Sequence, residues 1–147
     1  MCVCGHFQHG WTNAARAHRA ARATGTVRLA LISAQFKTFI DACGGIWYQQ
    51  GWKDKIGAGF THSQGLSGDK LNTLSGLMIN AMQHSMIWVG TGVMPEGSTP
   101  EKTNRIASYS GAMAQSNLDQ PNIGPGDHQT ADIFGKRVAE AAVQWTK

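Results

Sequence analysis

The stretch from Ile56 to Val89 most constrains what this chain can fold into. It opens on a short apolar run, Lys55–Phe60, and passes through Thr61-His62-Ser63-Gln64-Gly65-Leu66-Ser67-Gly68, where nearly every residue is small or polar. Apolar residues then recur at Leu71, Leu74, Leu77, Met78, Ala81 and Met82. That three-and-four spacing puts one stripe on one side of a helix. The helix is expected to end near His84-Ser85, and Met86–Val89 is a second apolar run of strand length. Strand, crossover helix and strand make a βαβ unit, normally parallel and right-handed. Ligands of such sheets bind outside the carboxyl ends of the strands. Residues 61–68 fall at that rim and lead into a helix N-terminus, whose free N–H groups favour anions or electron-rich groups.

A chain of 147 residues is long enough for a single core, so one domain is expected. Its 41% hydrophobic and 15% charged content fits a globular protein. No apolar run is long enough to span a bilayer, so no membrane partner is expected. The net charge of +4 is uneven. Residues 1–31 hold Arg16, Arg19, Arg22 and Arg28 and no acid, whereas the rest balances nine basic against nine acidic residues. The basic excess belongs to the N-terminal arm and gives no general argument for nucleic-acid binding. Cys2, Cys4 and Cys43 cannot all pair, and they do not form a secreted disulfide framework; a reducing, cytoplasmic setting is the expectation.

Residues 1–31 are read as an atypical basic arm and residues 32–147 as the folded domain. Asn13–Ala23 has the composition of a short basic helix. Cys2, Cys4, His6 and His9 are zinc-ligand types, but a second half with ligand spacing is missing, so no metal site is assigned. Thr26–Ile32 has strand character, with Val27, Leu29 and Leu31 on alternate positions. Ser33 is placed to cap a helix over Ala34–Ala42, with Phe36, Phe39 and Ile40 on one side, and Gly44-Gly45 to stop it. Ile46, Trp47, Tyr48 and Trp52 then read as an aromatic cluster in a loop. Such rings are more often packing residues, yet they suit a flat conjugated ligand or a subunit interface. Thr91–His128 carries all four prolines and is long for a connection, as lids, binding loops and oligomer contacts are. A short helix over Asn104–Gln115 is expected within it, through Ile106, Tyr109 and Met113. The last element is a helix from about Gln129 to Trp145, capped by Asp127.

The chain has no G-x-S-x-G elbow, no paired carboxylates on one element, no Walker A motif and no G-x-G-x-x-G. What remains is half of a doubly wound α/β fold with a polar loop and aromatics at its ligand edge. The runs Ser33–Asp41, Gly44-Gly45-Ile46-Trp47, Lys55–Thr61 and Gln83-His84-Ser85-Met86 resemble, in order and spacing, flavodoxin-like NAD(P)H:quinone oxidoreductases of the WrbA type and flavodoxin-family FMN reductases. The resemblance covers about residues 32–147. It implies an incomplete flavodoxin-like parallel sheet, FMN as cofactor, NAD(P)H as co-substrate, a quinone as acceptor, and a homodimer or homotetramer.

Carried over by position, the resemblance assigns Thr61, His62, Ser63, Gln64, Gly65, Leu66, Ser67 and Gly68 to the segment against the flavin ring. Tyr109 and Gly111 would border the ring. Trp47 would wall the substrate pocket, and His84 would donate a hydrogen bond to a quinone oxygen. Without the resemblance, His84 reads as a helix-terminal residue meeting the last carbonyls. Two family features are not matched: the first strand with its phosphate loop, and the Gly-Ser-Pro-Thr-like loop after the third strand. Codons for Thr26–Leu29, of the form ACN-GTN-CGN-CTN, can read as Gly-Ser-Pro when shifted by two bases. The expectation is therefore a truncated or frameshifted copy that binds FMN weakly or not at all alone, or a catalytically inactive interaction module; sequencing upstream of Ser33 that opens no family-like frame would refute the shift.

Overall fold

A computed structural model describes residues 27–28, 31–116 and 122–145. The arm candidates Cys2, Cys4, His6 and His9, and the stretch Asn13–Ala23, lie outside the described residues. Within the expected strand over Thr26–Ile32, the described residues form two short strands. Strand β1 (Val27–Arg28) pairs antiparallel with β2 (Leu31–Ile32), Val27 opposite Ile32.

Helix α1 (Ala34–Ala42) begins as expected, because the Ser33 hydroxyl accepts a bond from the Phe36 N–H at 3.2 Å. Such a cap contributes about 1 kcal/mol. Gly44-Gly45 does not end the helical run. Cys43 closes α1 by donating its N–H to Phe39 and Ile40, and a second short helix, α2 (Gly44–Tyr48), follows at once. Ile46, Trp47 and Tyr48 therefore sit on a helix rather than in a loop.

The run from Ile56 to Ser63 supplies two strands, β3 (Ile56–Gly57) and β4 (Phe60–Ser63). Strand β3 pairs parallel with β5 (Ile87–Trp88), Ile56 opposite Ile87. Strand β4 pairs parallel with β6 (Ala112–Gln115), Phe60 opposite Ala112. Between β5 and β6 the chain loops out over residues 89–111 and returns to the same strand line. Two hydrogen bonds close its neck: the Thr91 N–H donates to Tyr109 O at 3.0 Å, and the Trp88 indole Nε1 to Ser110 O at 2.7 Å.

Strand β6 lies where the spacing predicts a helix. The helical period fails because the buried residues alternate: Ala112 joins one core while Met113 joins the other. Tyr109, the middle of the expected stripe, is exposed.

Helix α3 (Lys70–Gln83) covers one face of the strands, with α1 beside it, and helix α4 (Pro125–Trp145) covers the other. Ile56, Val89, Ala112, Phe134, Val138 and Ala142 form the α4-side core. Leu74, Leu77 and Met113 form the α3-side core, with Ile32, Phe36, Trp88 and Ile106 packed against it. Gly57 in β3 and Gly59, just before β4, face Ala81 and Leu74 of α3. A Cβ on Gly59 would lie 2.8 Å from the Trp88 ring, so the glycine makes the trough in which that indole rests.

The buried stripe of α3 is Lys70, Thr73, Leu74, Leu77 and Ala81; Leu71 and Met82 are exposed, against expectation. Helix α4 starts at Pro125 rather than near Gln129, with proline where its missing N–H costs nothing. Asp127 is then inside the first turn, not at the cap.

Candidate functional site

The carboxyl end of β4 carries a tight turn. Thr61, His62 and Ser63 belong to the strand, and Gln64–Asp69 makes the link to α3. Gly68 and Asp69 both have left-handed backbones, φ 50° and 49°. A Cβ at Gly68 would overlap the Ser63 hydroxyl, so glycine is required there.

The polar wiring of this turn runs inward. Lys70 Nζ donates to Ser63 Oγ at 2.9 Å and to Gly65 O at 2.7 Å, and the Ser63 hydroxyl donates to Gly65 O at 3.0 Å. Gln115 Nε2 donates to Gln64 O at 3.0 Å. The carbonyls of residues 64 and 65 are thus taken up from below. Among the described residues the N–H groups of Gly65, Leu66 and Ser67 have no partner, and all three residues are exposed. The turn is an outward ledge of donors at the ligand edge of a parallel sheet, suited to the acceptor edge of a planar molecule.

Two further residues brace the ledge. Arg105 donates from Nε and Nη2 to the two carboxylate oxygens of Asp127, at 2.9 and 2.8 Å, and both side chains are buried. Asp127 also accepts the Gln115 N–H at 2.9 Å, and Arg105 Nη1 donates to Gln115 Oε1 at 3.2 Å. The looped-out segment, β6, the first turn of α4 and the β4 turn are joined through Arg105, Gln115, Asp127 and Gln64.

Lys70, Arg105, Gln115 and Asp127 were not assigned to the site from sequence. One signal for Lys70 was present: it shares the inward row of Leu74, Leu77 and Ala81, where a lysine is out of place unless partnered.

The structure gathers only part of the expected set. Residues 61–68 sit together at the rim. Thr61 is buried, its hydroxyl without a partner among the described residues, whereas His62 and Ser63 are half-buried. Gly111 is packed against backbone: a Cβ there would lie 2.2 Å from Gly59 O. Tyr109 is exposed beside the neck of the loop.

His84 is not brought to the turn. It caps the other end of α3, a helix of 14 residues and so about 20 Å long. There its ring stacks on Trp52 with centroids 4.7 Å apart, buried, with Nδ1 unpartnered among the described residues. Trp47, on α2, is half-exposed. Within this chain α3 separates His84 from residues 61–68. Among the described residues no group of His, Cys, Asp and Glu forms a metal cluster.

Burial holds the His84 imidazole below its usual range. An imidazole kept neutral in the fold loses stability as pH drops, because the unfolded chain takes up the proton first. Melting temperature is expected to fall as pH goes below about 6.5, the unfolded value. In His84→Phe, which keeps a ring against Trp52, the fall should be shallower. Equal slopes in the two proteins would remove His84 as the cause.

No family model matches the chain. It is 36% identical over 115 residues to flavodoxin FldP of Pseudomonas aeruginosa, a match covering 75% of this chain and 62% of that protein. It is 35% identical over 115 residues to an NAD(P)H dehydrogenase (quinone) of Archaeoglobus fulgidus, covering 78% of this chain and 54% of that protein. A WrbA-like flavodoxin from Agrobacterium tumefaciens superposes with a TM-score of 0.65 at 38% identity, covering 82% of this chain and 63% of that one. The chain thus spans little more than half to three fifths of the length of the proteins it matches.

Proposed function

Since this chain belongs to the flavodoxin-like family of those proteins, we propose that the turn after β4 is the ring-facing part of an FMN site in an NAD(P)H:quinone oxidoreductase. The observation that carries this reading is the donor ledge of Gly65, Leu66 and Ser67 at the carboxyl rim of a parallel strand, its carbonyls held inward by Lys70 and Gln115. Those N–H groups fit the acceptor edge of an isoalloxazine. The fit concerns the ring edge and leaves the phosphate unassigned.

A bound flavin would supply the redox chemistry, taking a hydride from NAD(P)H and passing two electrons to a quinone. The chain's own part is to position the ring edge, to offer donors where negative charge develops, and to keep the turn from moving as it does so. The exposed Trp47 and Tyr48 on α2 offer aromatic surface for a homodimer or homotetramer contact. The second reading, a flavodoxin-like module without turnover, is favoured by the unmatched phosphate.

Titration with FMN and with riboflavin separates these readings. A ring-only site quenches the fluorescence of both, with affinities within about tenfold, or about 1.4 kcal/mol, of each other. Tight binding confined to FMN would show that the phosphate is anchored after all. A chain that quenches neither flavin ends the ring-site proposal. NAD(P)H oxidation with a quinone in the flavin-loaded protein then distinguishes enzyme from module.

A further inference from the structure

Lys70 is the most anomalous side chain in the fold. It is fully buried, 0% exposed, at the first position of α3. Its ammonium is met by a hydroxyl and a carbonyl, not by a carboxylate, at 2.9 and 2.7 Å. Asp127 is the acid whose field reaches it, and that carboxylate is already engaged by both forks of Arg105. Beneath residues 63–68 there are thus two cations and one anion.

Burial pulls the Lys70 pKa down, Asp127 pushes it back up, and Arg105 adds to the depression. Two oxygen acceptors on Nζ favour the charged form. A neutral amine would also leave the Gly65 and Ser63 oxygens less well satisfied. His62, half-buried on the same strand end, has its pKa lowered by burial and by the Lys70 charge.

We propose that Lys70 is a positioning residue whose buried ammonium locks the turn at residues 63–68 and supplies uncompensated positive charge beneath it, so that the ledge favours a planar ligand in its electron-rich, anionic form. This rests on the reading of the ledge as a flavin-ring contact. The hydrogen bonds to Ser63 and Gly65 set the geometry; the net charge sets the preference. The side chain touches no ligand itself and acts through the turn.

The test uses the full chain and two variants, Lys70→Met, which removes charge and donor, and Lys70→Gln, which removes charge and keeps a donor. The first readout needs no flavin: His62 titrated by NMR. Loss of a neighbouring cation raises the His62 pKa in both variants. The second readout is the midpoint potential of bound riboflavin, which becomes more negative in both variants because the reduced, anionic ring loses its support. Lys70→Gln keeps the riboflavin affinity closer to wild type than Lys70→Met does.

An unchanged His62 pKa in both variants overturns the proposal, since the charge would then not be projected into the turn. A raised His62 pKa with an unmoved flavin potential also overturns it, while the ring site survives. Should the wild-type chain bind no flavin, the ring reading falls, and with it the ligand half of the proposal; the His62 titration alone then decides whether Lys70 is the charged strut of the turn. Where Lys70→Met fails to fold, Lys70→Gln carries the same two readouts.

Discussion

Gly111→Val moves the unfolding transition to a much lower urea concentration. A Cβ at this position would sit 2.2 Å from the Gly59 carbonyl oxygen and 3.1 Å from a Leu74 methyl. The obstacle is backbone of the neighbouring strand, which cannot rotate away as a side chain does. The strand line must part where β6 rejoins it, or the Leu74 core must open. Overpacking of this kind costs about 3 kcal/mol or more, a large share of the roughly 5–15 kcal/mol that holds a domain together. Urea denaturation followed by tryptophan fluorescence measures it. Gly76→Ala is the control, because a Cβ there meets nothing within 4 Å in the interior of α3. It should stabilise by about 0.5–1 kcal/mol. A wild-type transition in Gly111→Val would mean that β6 does not lie against Gly59.

Asp127→Ala has a comparable effect by a different route. It leaves the buried Arg105 guanidinium without its bidentate partner and the Gln115 N–H without an acceptor. Breaking a buried pair by removing one partner costs about 3–5 kcal/mol. The double change Arg105→Met with Asp127→Leu removes both charges and should recover much of that loss, since buried pairs contribute little over apolar residues of similar volume. If single and double variants unfold at the same urea concentration, the uncompensated charge is not the source of the loss. A functional consequence follows from the wiring. Gln115 holds the Gln64 carbonyl, so weakening Arg105–Asp127 should also lower riboflavin affinity at the β4 turn.

The order of elements was legible because it rests on local signals. Ser33 sits three residues before Phe36 and caps α1 as its side chain requires. The switch from a short apolar run to three-and-four spacing at Leu71–Ala81 marked the βαβ unit, and β3 and β5 are parallel as such a unit demands. Readings failed where one local pattern admitted two structures. Ile106, Tyr109 and Met113 have helical spacing, but Ala112–Gln115 is a strand because β4 already presents an unpaired ladder for it. Leu71 and Met82 extend the apolar row of α3, yet they face outward. Gly57 and Gly59 form a shallow floor under α3, and Trp88 lies across it.

The binding rim was legible to the extent that strand direction places it, and residues 61–68 do sit there. His84 belongs to the opposite end because a helix of 14 residues cannot be shortened. The bracing groups are spread from Ser63 to Asp127, and a hydrogen bond across that span leaves no spacing rule in the chain.

By itself, then, the sequence determined helices α1 and α3 and the body of α4, the parallel crossover and the rim on which a ligand would rest, since capping, periodicity and strand direction are properties of neighbouring residues. Only the tertiary structure decided that one strand line has a split partner, that Lys70 lies under the turn rather than in water, and that Arg105 and Asp127 meet. Those outcomes depend on which backbones approach closely and which charges are left together away from solvent, and both are settled only when distant segments pack.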